Sequence, residues 1–309
     1  MKTAITSASS SLSTTTTAKT EATAETNNGA SSAADIIKNP LITTGDDIVA
    51  DDSLLDEFRS KLLELKQEPK STDDAEREDD ANAQGGAVLY DNTEIDNMIK
   101  DDNNLRRLLI ARCNNLEKSL TMAKGIIQWR TKIQPHKLTV QDFPIAHAQG
   151  VYRFAGYAKN GWGIIKVIAR NWSSYAYSVD EYCKMVAYYM EQNLARCSNN
   201  ANGDTAKNFL IFDMKNMSYM SDFRKLRVLA KLTNDYYPER LGIAVIVNCD
   251  YVFDMIFNIM VRWVDKRTSN KAIDFRTNGS EFLREHVDLD QLTTDLGGTR
   301  DEEWPLEDL

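Results

Sequence analysis

Between Asp250 and Val264 the polar residues fall at Asp250, Asp254, Asn258 and Arg262, each four after the last. That spacing draws a narrow polar stripe along one line of a helix. Tyr251, Val252, Phe253, Met255, Ile256, Phe257, Ile259, Met260, Val261, Trp263 and Val264 fill the rest. They cover far more than the ~100° arc that one buried face needs, so the helix is expected to meet two apolar surroundings. At ~1.5 Å per residue it is ~20 Å long, short of the ~20 residues that span a bilayer. A helix buried between a sheet and a second layer satisfies the pattern. A lid over an apolar hollow satisfies it as well.

The remaining chain shows both periods. Leu54, Leu55, Phe58, Leu62 and Leu65 have helical spacing, with Ser53 as N-cap, and predict an isolated amphipathic helix over 53–67, set apart in sequence from the folded domain and free to dock on it or on a partner. Asp91-Asn92-Thr93-Glu94 has the spacing of a capping box and opens a short helix, and a second follows from about Asn103 to Arg112. Leu116, Leu120, Ala123 and Ile127 define a third, widened by Ile126, Trp129 and Ile133 and ended by Pro135. After Pro144 the texture alternates. Ile164 to Arg170 reads as a strand, Val179 to Ala195 as a helix, Phe209 to Phe212 as a buried strand, and Asp222 to Asn234 as a helix. Ile243 to Val247 and Asp274 to Thr277 read as two more strands. Strand, helix, strand at these spacings predicts α/β layers behind a small helical bundle.

Composition narrows the functional classes. The 309 residues carry a net charge of −9, and no basic patch interrupts the acidic balance, so a nucleic-acid partner is not expected. Cys113, Cys183, Cys197 and Cys249 lack metal or disulfide spacing and fit a reducing compartment. No signal peptide and no run of 18 or more apolar residues is found, so a soluble, cytoplasmic protein is expected. Residues 1–52 are Ser/Thr/Ala-rich and read as a disordered tail; too few arginines precede Arg59 for a transit peptide. The acidic stretch 68–86, with Pro69 and Gly85-Gly86, reads as a linker. The G-x-S-x-G, Walker and H-E-x-x-H motifs are all lacking, and His136, His147 and His286 have no Cys or carboxylate at ligand spacing. Neither enzyme activity nor a metal or other cofactor is expected.

Around the oily segment the chain reads Tyr236-Tyr237-Pro238-Glu239-Arg240-Leu241-Gly242, then a strand ending in Asn248. After it comes Asp265-Lys266-Arg267-Thr268-Ser269-Asn270-Lys271-Ala272-Ile273. A Tyr-Pro-Glu-Arg-Leu-Gly turn, a greasy helix and an Asp-x-x-Thr-x-x-Lys-x-Ile element resemble the CRAL-TRIO lipid-binding family. Leu108-Leu109-Ile110-Ala111-Arg112, Asn115-Leu116-Glu117-Lys118-Ser119 and Trp129-Arg130 are similar to its N-terminal helical subdomain, with Asn115 in place of a capping Asp. Asp213-Met214-Lys215-Asn216 is similar to its Asp-Leu-x-Gly, and Asp290 to Gly298 to its closing Leu-Pro-x-x-Tyr-Gly-Gly. The turn Ala158-Lys159-Asn160-Gly161-Trp162-Gly163 lacks the family's Arg and Pro, and Cys113 stands where a basic residue is frequent. The likeness covers about residues 91–299.

The resemblance implies an α/β CRAL-TRIO fold: a helical subdomain over 87–135, then a lipid-binding domain over 136–300 whose mixed or parallel sheet, flanked by helices, encloses a hydrophobic pocket under a helical gate. Residues 301–309 are left as a tail. It places headgroup contacts at Arg112, Glu239, Thr268 and Lys271, and gate and pocket contacts at Tyr251, Phe253, Met255, Ile256, Phe257, Ile259, Met260 and Trp263. The chemistry suits those places: Arg112 and Lys271 can neutralise phosphate, and Glu239 and Thr268 can hydrogen-bond inositol hydroxyls. A Glu239–Lys271 salt bridge is the purely structural alternative, compatible with both roles. The family's phosphatidylcholine contacts, a Ser and a Thr, match Asn208 and Leu210, which leaves Asn208 as the polar candidate for a second lipid. The implied ligand is a phospholipid, phosphatidylinositol, carried by a monomer that meets membrane surfaces transiently. A tocopherol, retinoid or sterol ligand, or a ligand-free scaffold, are the alternatives. Moving one long acyl chain into water costs about 0.8 kcal/mol per CH₂, more than ~10 kcal/mol in all, so a carrier requires an equally apolar hollow.

Overall fold

Short acids and amides open the helices of the N-terminal bundle. The computed structural model describes residues 48–66, 90–173, 175–198, 206–217, 223–249, 261–263, 266–275 and 279–306. A 3-10 turn, Asp52–Leu54, capped by Asp51, leads into α1 (Leu55–Glu64). Asp91, Asp101 and Asn115 accept backbone N–H bonds at the starts of α2 (Asn92–Ile99), α3 (Asp102–Ala111) and α4 (Leu116–Ile133). Gln134 in the left-handed region and Pro135 stop α4. Such caps contribute ~1 kcal/mol each. The expected capping box at α2 is half formed. Asp91 caps, but Glu94 turns inward, pairing through Oε2 with Arg130 Nε at 2.8 Å and through Oε1 with His136 at 3.4 Å.

The first amphipathic helix is not isolated. Leu55, Phe58, Leu62 and Leu65 are buried among Ile95, Leu105, Leu108, Leu109, Met122, Ala123, Ile126 and Ile127. Removing a Leu or Phe from water contributes ~1.5–3 kcal/mol per side chain, so α1 is a wall of the bundle. Asn114 fixes the chain just before it, donating to Val49 O and accepting from Asp51 N.

The second layer system is a five-stranded sheet in chain order: β1 (Tyr152–Tyr157), β2 (Gly163–Ile168), β3 (Asn208–Asp213), β4 (Leu241–Val247) and β5 (Ala272–Phe275). β1 pairs antiparallel with β2, and the other pairings are parallel. β1 was not expected, and the strand predicted over Ile164 to Arg170 ends at Ile168, where Ala169–Asn171 tightens into a 3-10 turn. α5 (Pro144–Ala148) precedes β1; its Ile145 and Ala146 amides donate to Glu181 Oε1. α6 (Val179–Ser198) joins β2 to β3, and α7 (Phe223–Tyr236) joins β3 to β4. α8 (Lys266–Asn270) leads into β5, and α9 (Gly279–His286) follows it.

Side-chain size differs between the two sheet faces. Across the back, Lys166, Ile211, Val245 and Ile273 lie in register, and Phe282 and Leu283 of α9 with Val287, Leu292 and Leu296 close over this face. Across the front, the register Ile165, Leu210, Ala244, Ala272 tapers from large to small. Tyr182, Met185, Val186 and Tyr189 of α6 fill the large end of the front, and the taper leaves room toward β4 and β5.

Residues 301–306 belong to this lobe and are not a separate tail. Lys166, buried in the back face, donates to Glu303 Oε1 at 2.8 Å and to Thr293 Oγ1 at 3.1 Å, while Arg153 Nη1 reaches Trp304 O at 2.8 Å. Asp213, fully buried at the end of β3, takes Arg170 at 3.2 Å and Asn248 at 2.8 Å.

Candidate functional site: an apolar cavity with a cationic end

The taper of the front face opens into a cavity, about 150 Å³ as measured by the space open to the centre of a water-sized sphere. Leu210, Phe212, Ala244, Ile246 and Ala272 floor it, and Leu229, Ala230 and Thr233 of α7 cover it, with Met190 of α6 at one side. At the N-terminal ends of β4 and β5 the lining turns polar: Arg112, Glu239, Arg267, Thr268, Ser269 and Lys271. The four residues expected at a headgroup therefore border one cavity, although they come from α3, the α7–β4 turn and the α8–β5 segment.

Local backbone geometry brings them together. Arg112 is the C-cap of α3, and Cys113 and Asn114 follow with positive φ, so the chain doubles back and leaves Arg112 at the corner. Its Nη1 donates to Ala111 O at 3.1 Å. Glu239, in the tight turn before β4, has φ +56°, a cost that the fold accepts because the turn aims its carboxylate at α8. Glu239 Oε2 accepts from Lys271 Nζ at 3.0 Å, and Oε1 lies 3.3 Å from Arg267 Nη2. Arg267 Nη1 also donates to Ile110 O at 2.8 Å, tying this corner to the bundle. The salt-bridge alternative for Glu239 and Lys271 is thus present in the folded chain. Three cations against one carboxylate leave this end positive among the described residues.

Arg267 escaped the sequence reading, although it directly precedes Thr268 in the quoted motif. Trp263 sits half-buried in a 3-10 turn, Val261–Trp263, and does not line the cavity. Tyr251, Phe253, Met255, Ile256, Phe257, Ile259 and Met260 lie outside the described residues.

Asn208 does not line the cavity. It is fully buried at the start of β3, its Oδ1 accepting from Asn193 Nδ2 at 2.8 Å, while the same Asn193 amide donates to Gly163 O. Gly163 is required there because a Cβ would collide with the Asn193 amide. The polar side chain at 208 is thus engaged in joining α6 to β2 and β3. Asn208→Ala strands that amide and is expected to lower stability by ~1–3 kcal/mol in urea denaturation. Bound lipid, measured after extraction, should stay unchanged; its loss would return Asn208 to the ligand site.

At the C-terminal ends of β2 and β3 the lining is aromatic. Tyr152 and Tyr182 share a hydrogen bond at 3.2 Å, and Trp172 stacks on Tyr182. Burial pushes the Tyr152 hydroxyl up to about 12 and Tyr182 well above the ordinary tyrosine value. The native state therefore holds protons that the unfolded chain loses near pH 10, so stability is full below that pH and falls as pH rises through about 12. A shift of this size at Tyr152 alone removes ~3 kcal/mol. Tyrosinate absorbance followed with circular dichroism should show these groups ionising only as the fold is lost; ordinary ionisation of every tyrosine with the fold intact would contradict their burial.

An α/β lobe with an apolar hollow and one cationic end defines a lipid-binding protein. Residues 147–298 match the CRAL/TRIO domain. Over 214 residues, 64% of this chain and 74% of its relative, the sequence is 27% identical to the Sec14 cytosolic factor of Schizosaccharomyces pombe. It is 26% identical to the phosphatidylinositol transfer protein CSR1 of Eremothecium gossypii and 24% to the phosphatidylinositol/phosphatidylcholine transfer protein SFH9 of Arabidopsis thaliana. Those matches span only 47% and 37% of the relatives' lengths. The crystal structure of Sfh5 shares the fold, with a TM-score of 0.53 at 18% identity over 66% of this chain and 73% of that one. Residues 147–298 of the chain thus carry a CRAL/TRIO domain.

Proposed function

We propose that the protein carries phosphatidylinositol and exchanges or presents it at membrane surfaces. The observation that supports this best is the convergence of Arg112, Glu239, Thr268 and Lys271 on the polar end of an otherwise apolar cavity. An inositol phosphodiester brings one negative charge and several hydroxyls. Lys271 and Arg112 can meet the charge, and Glu239, already oriented by Lys271 and Arg267, can accept from hydroxyls. Acyl chains would lie against Leu210, Phe212, Ala244 and Ile246, where burial replaces what they lose on leaving the bilayer. The names of the fungal and plant relatives point the same way. In this reading the protein works as a cytoplasmic monomer that touches the membrane transiently, with the segment around Tyr251 to Trp263 as gate.

Transfer of labelled phosphatidylinositol between donor and acceptor vesicles tests it. The protein should speed that transfer and leave sterol and tocopherol in place. Equal transfer of sterol alone would favour the isoprenoid alternative.

A further inference from the structure

A second cavity lies on the other side of the Tyr236-to-Arg240 turn, between the helical bundle and the sheet lobe. By the same measure it is larger than the first, about 320 Å³. Asn97 and Met98 of α2, Asn104 and Arg107 of α3, and Arg130 of α4 form one wall. Glu191 and Leu194 of α6, with Tyr237 and Arg240, form the other. Nothing in the lipid reading uses it.

Its charges are unevenly matched. Arg130 takes both carboxylates, Glu94 Oε2 at 2.8 Å and Glu191 Oε1 at 2.7 Å. Arg240 is left with a backbone acceptor, Ala206 O at 3.0 Å, and no carboxylate within 4.0 Å among the described residues. Asp101, the other acid near it, caps α3 through Asn103 N. Burial accordingly pulls the Arg240 guanidinium below its usual range. Glu191 and Asp101 offset part of that cost only through space, without a direct ion pair, so an anion that touches the guanidinium lowers it further. Beside it the buried Tyr237 hydroxyl faces the Glu191 carboxylate without a hydrogen bond of good geometry, and across the cleft stand Arg107, which donates to Asn104 Oδ1, and Asn104, which donates to Asn97 O, both with more than one N–H to offer.

We infer that this interdomain cleft binds a small water-soluble oxyanion, a phosphate ester or polycarboxylate, held between Arg240 and Tyr237 of the lobe and Arg107 and Asn104 of the bundle. Fork-shaped guanidinium groups match such oxygens in pairs. Because Tyr237 and Pro238 line both cavities and Glu239 is the next residue, an occupant here touches the turn that presents Glu239 to the lipid site.

Calorimetric titration of the full chain with inorganic pyrophosphate at low salt tests the site. The wild type should bind at millimolar concentration or tighter. Arg240→Gln and Arg107→Gln should each weaken binding ~10-fold or more, as expected for loss of a charge-assisted hydrogen bond. Arg112→Gln, in the lipid cavity, should bind pyrophosphate as the wild type does. The Arg107 variant keeps the test open if Arg240→Gln does not fold. No binding to the wild type, or binding that only Arg112→Gln abolishes, would overturn the proposal. Tighter binding to phosphoinositide vesicles than to pyrophosphate, lost with Arg240→Gln, would place the same chemistry on a lipid headgroup.

Discussion

Lys271→Ala combined with Arg112→Ala should reduce phosphatidylinositol transfer between vesicles by ~100-fold or more, and Lys271→Ala alone by ~10-fold. A charge-assisted hydrogen bond to phosphate contributes ~1.5–3 kcal/mol, and every 1.4 kcal/mol is a factor of ten. Folding should suffer less. Glu239 keeps Arg267 at 3.3 Å when Lys271 is removed, so its carboxylate does not become a lone buried charge. Arg112 makes its hydrogen bond to a neighbouring carbonyl, which water can replace. If urea unfolding shows stability falling in proportion to transfer, the two residues are structural and the headgroup assignment fails.

Arg130→Ala is expected to have the largest effect on stability, ~3–5 kcal/mol, because breaking a buried ion pair leaves its partners uncompensated. Glu94 is only 3% exposed, and Arg130 is the cation that links it to Glu191 across the junction of bundle and lobe. Replacing Glu94 and Glu191 by Gln in the same chain should recover much of the loss, since amides tolerate burial better than unpaired carboxylates. A loss below ~1 kcal/mol for Arg130→Ala would mean that water reaches the cluster and that the junction is held by apolar contacts alone. Trp129 stacked on Tyr236, with centroids 4.6 Å apart, is the neighbouring apolar contact that would then carry it.

The sheet was legible where its residues are uniformly apolar. Phe209 to Phe212 and Ile243 to Val247 extended by one or two residues and otherwise lie where expected, since a strand covered on both faces has little else to be. β1 was not, because Arg153 and Gly156 interrupt its alternation and its pairing shifts register between Phe154 and Tyr157. The docking of α1 could not be read either: an amphipathic stripe states that a face will be buried, not against what. Motif likeness led to the polar cavity end because Arg112, Glu239, Thr268 and Lys271 are far apart in sequence and share no periodicity. At Asn208 the likeness points to a position that the structure fills with an amide buried in a network and set apart from the cavity. Glu94 is a different case, its cap spacing overruled by a half-buried arginine that lies 36 residues away.

Extraction of the purified full chain into organic solvent, followed by mass spectrometry, addresses the central claim most directly, namely that the hollow under the tapering front face holds a phospholipid. Near-stoichiometric phosphatidylinositol is the predicted result. An isoprenoid or sterol alone, or no lipid from a protein purified without detergent, would contradict it.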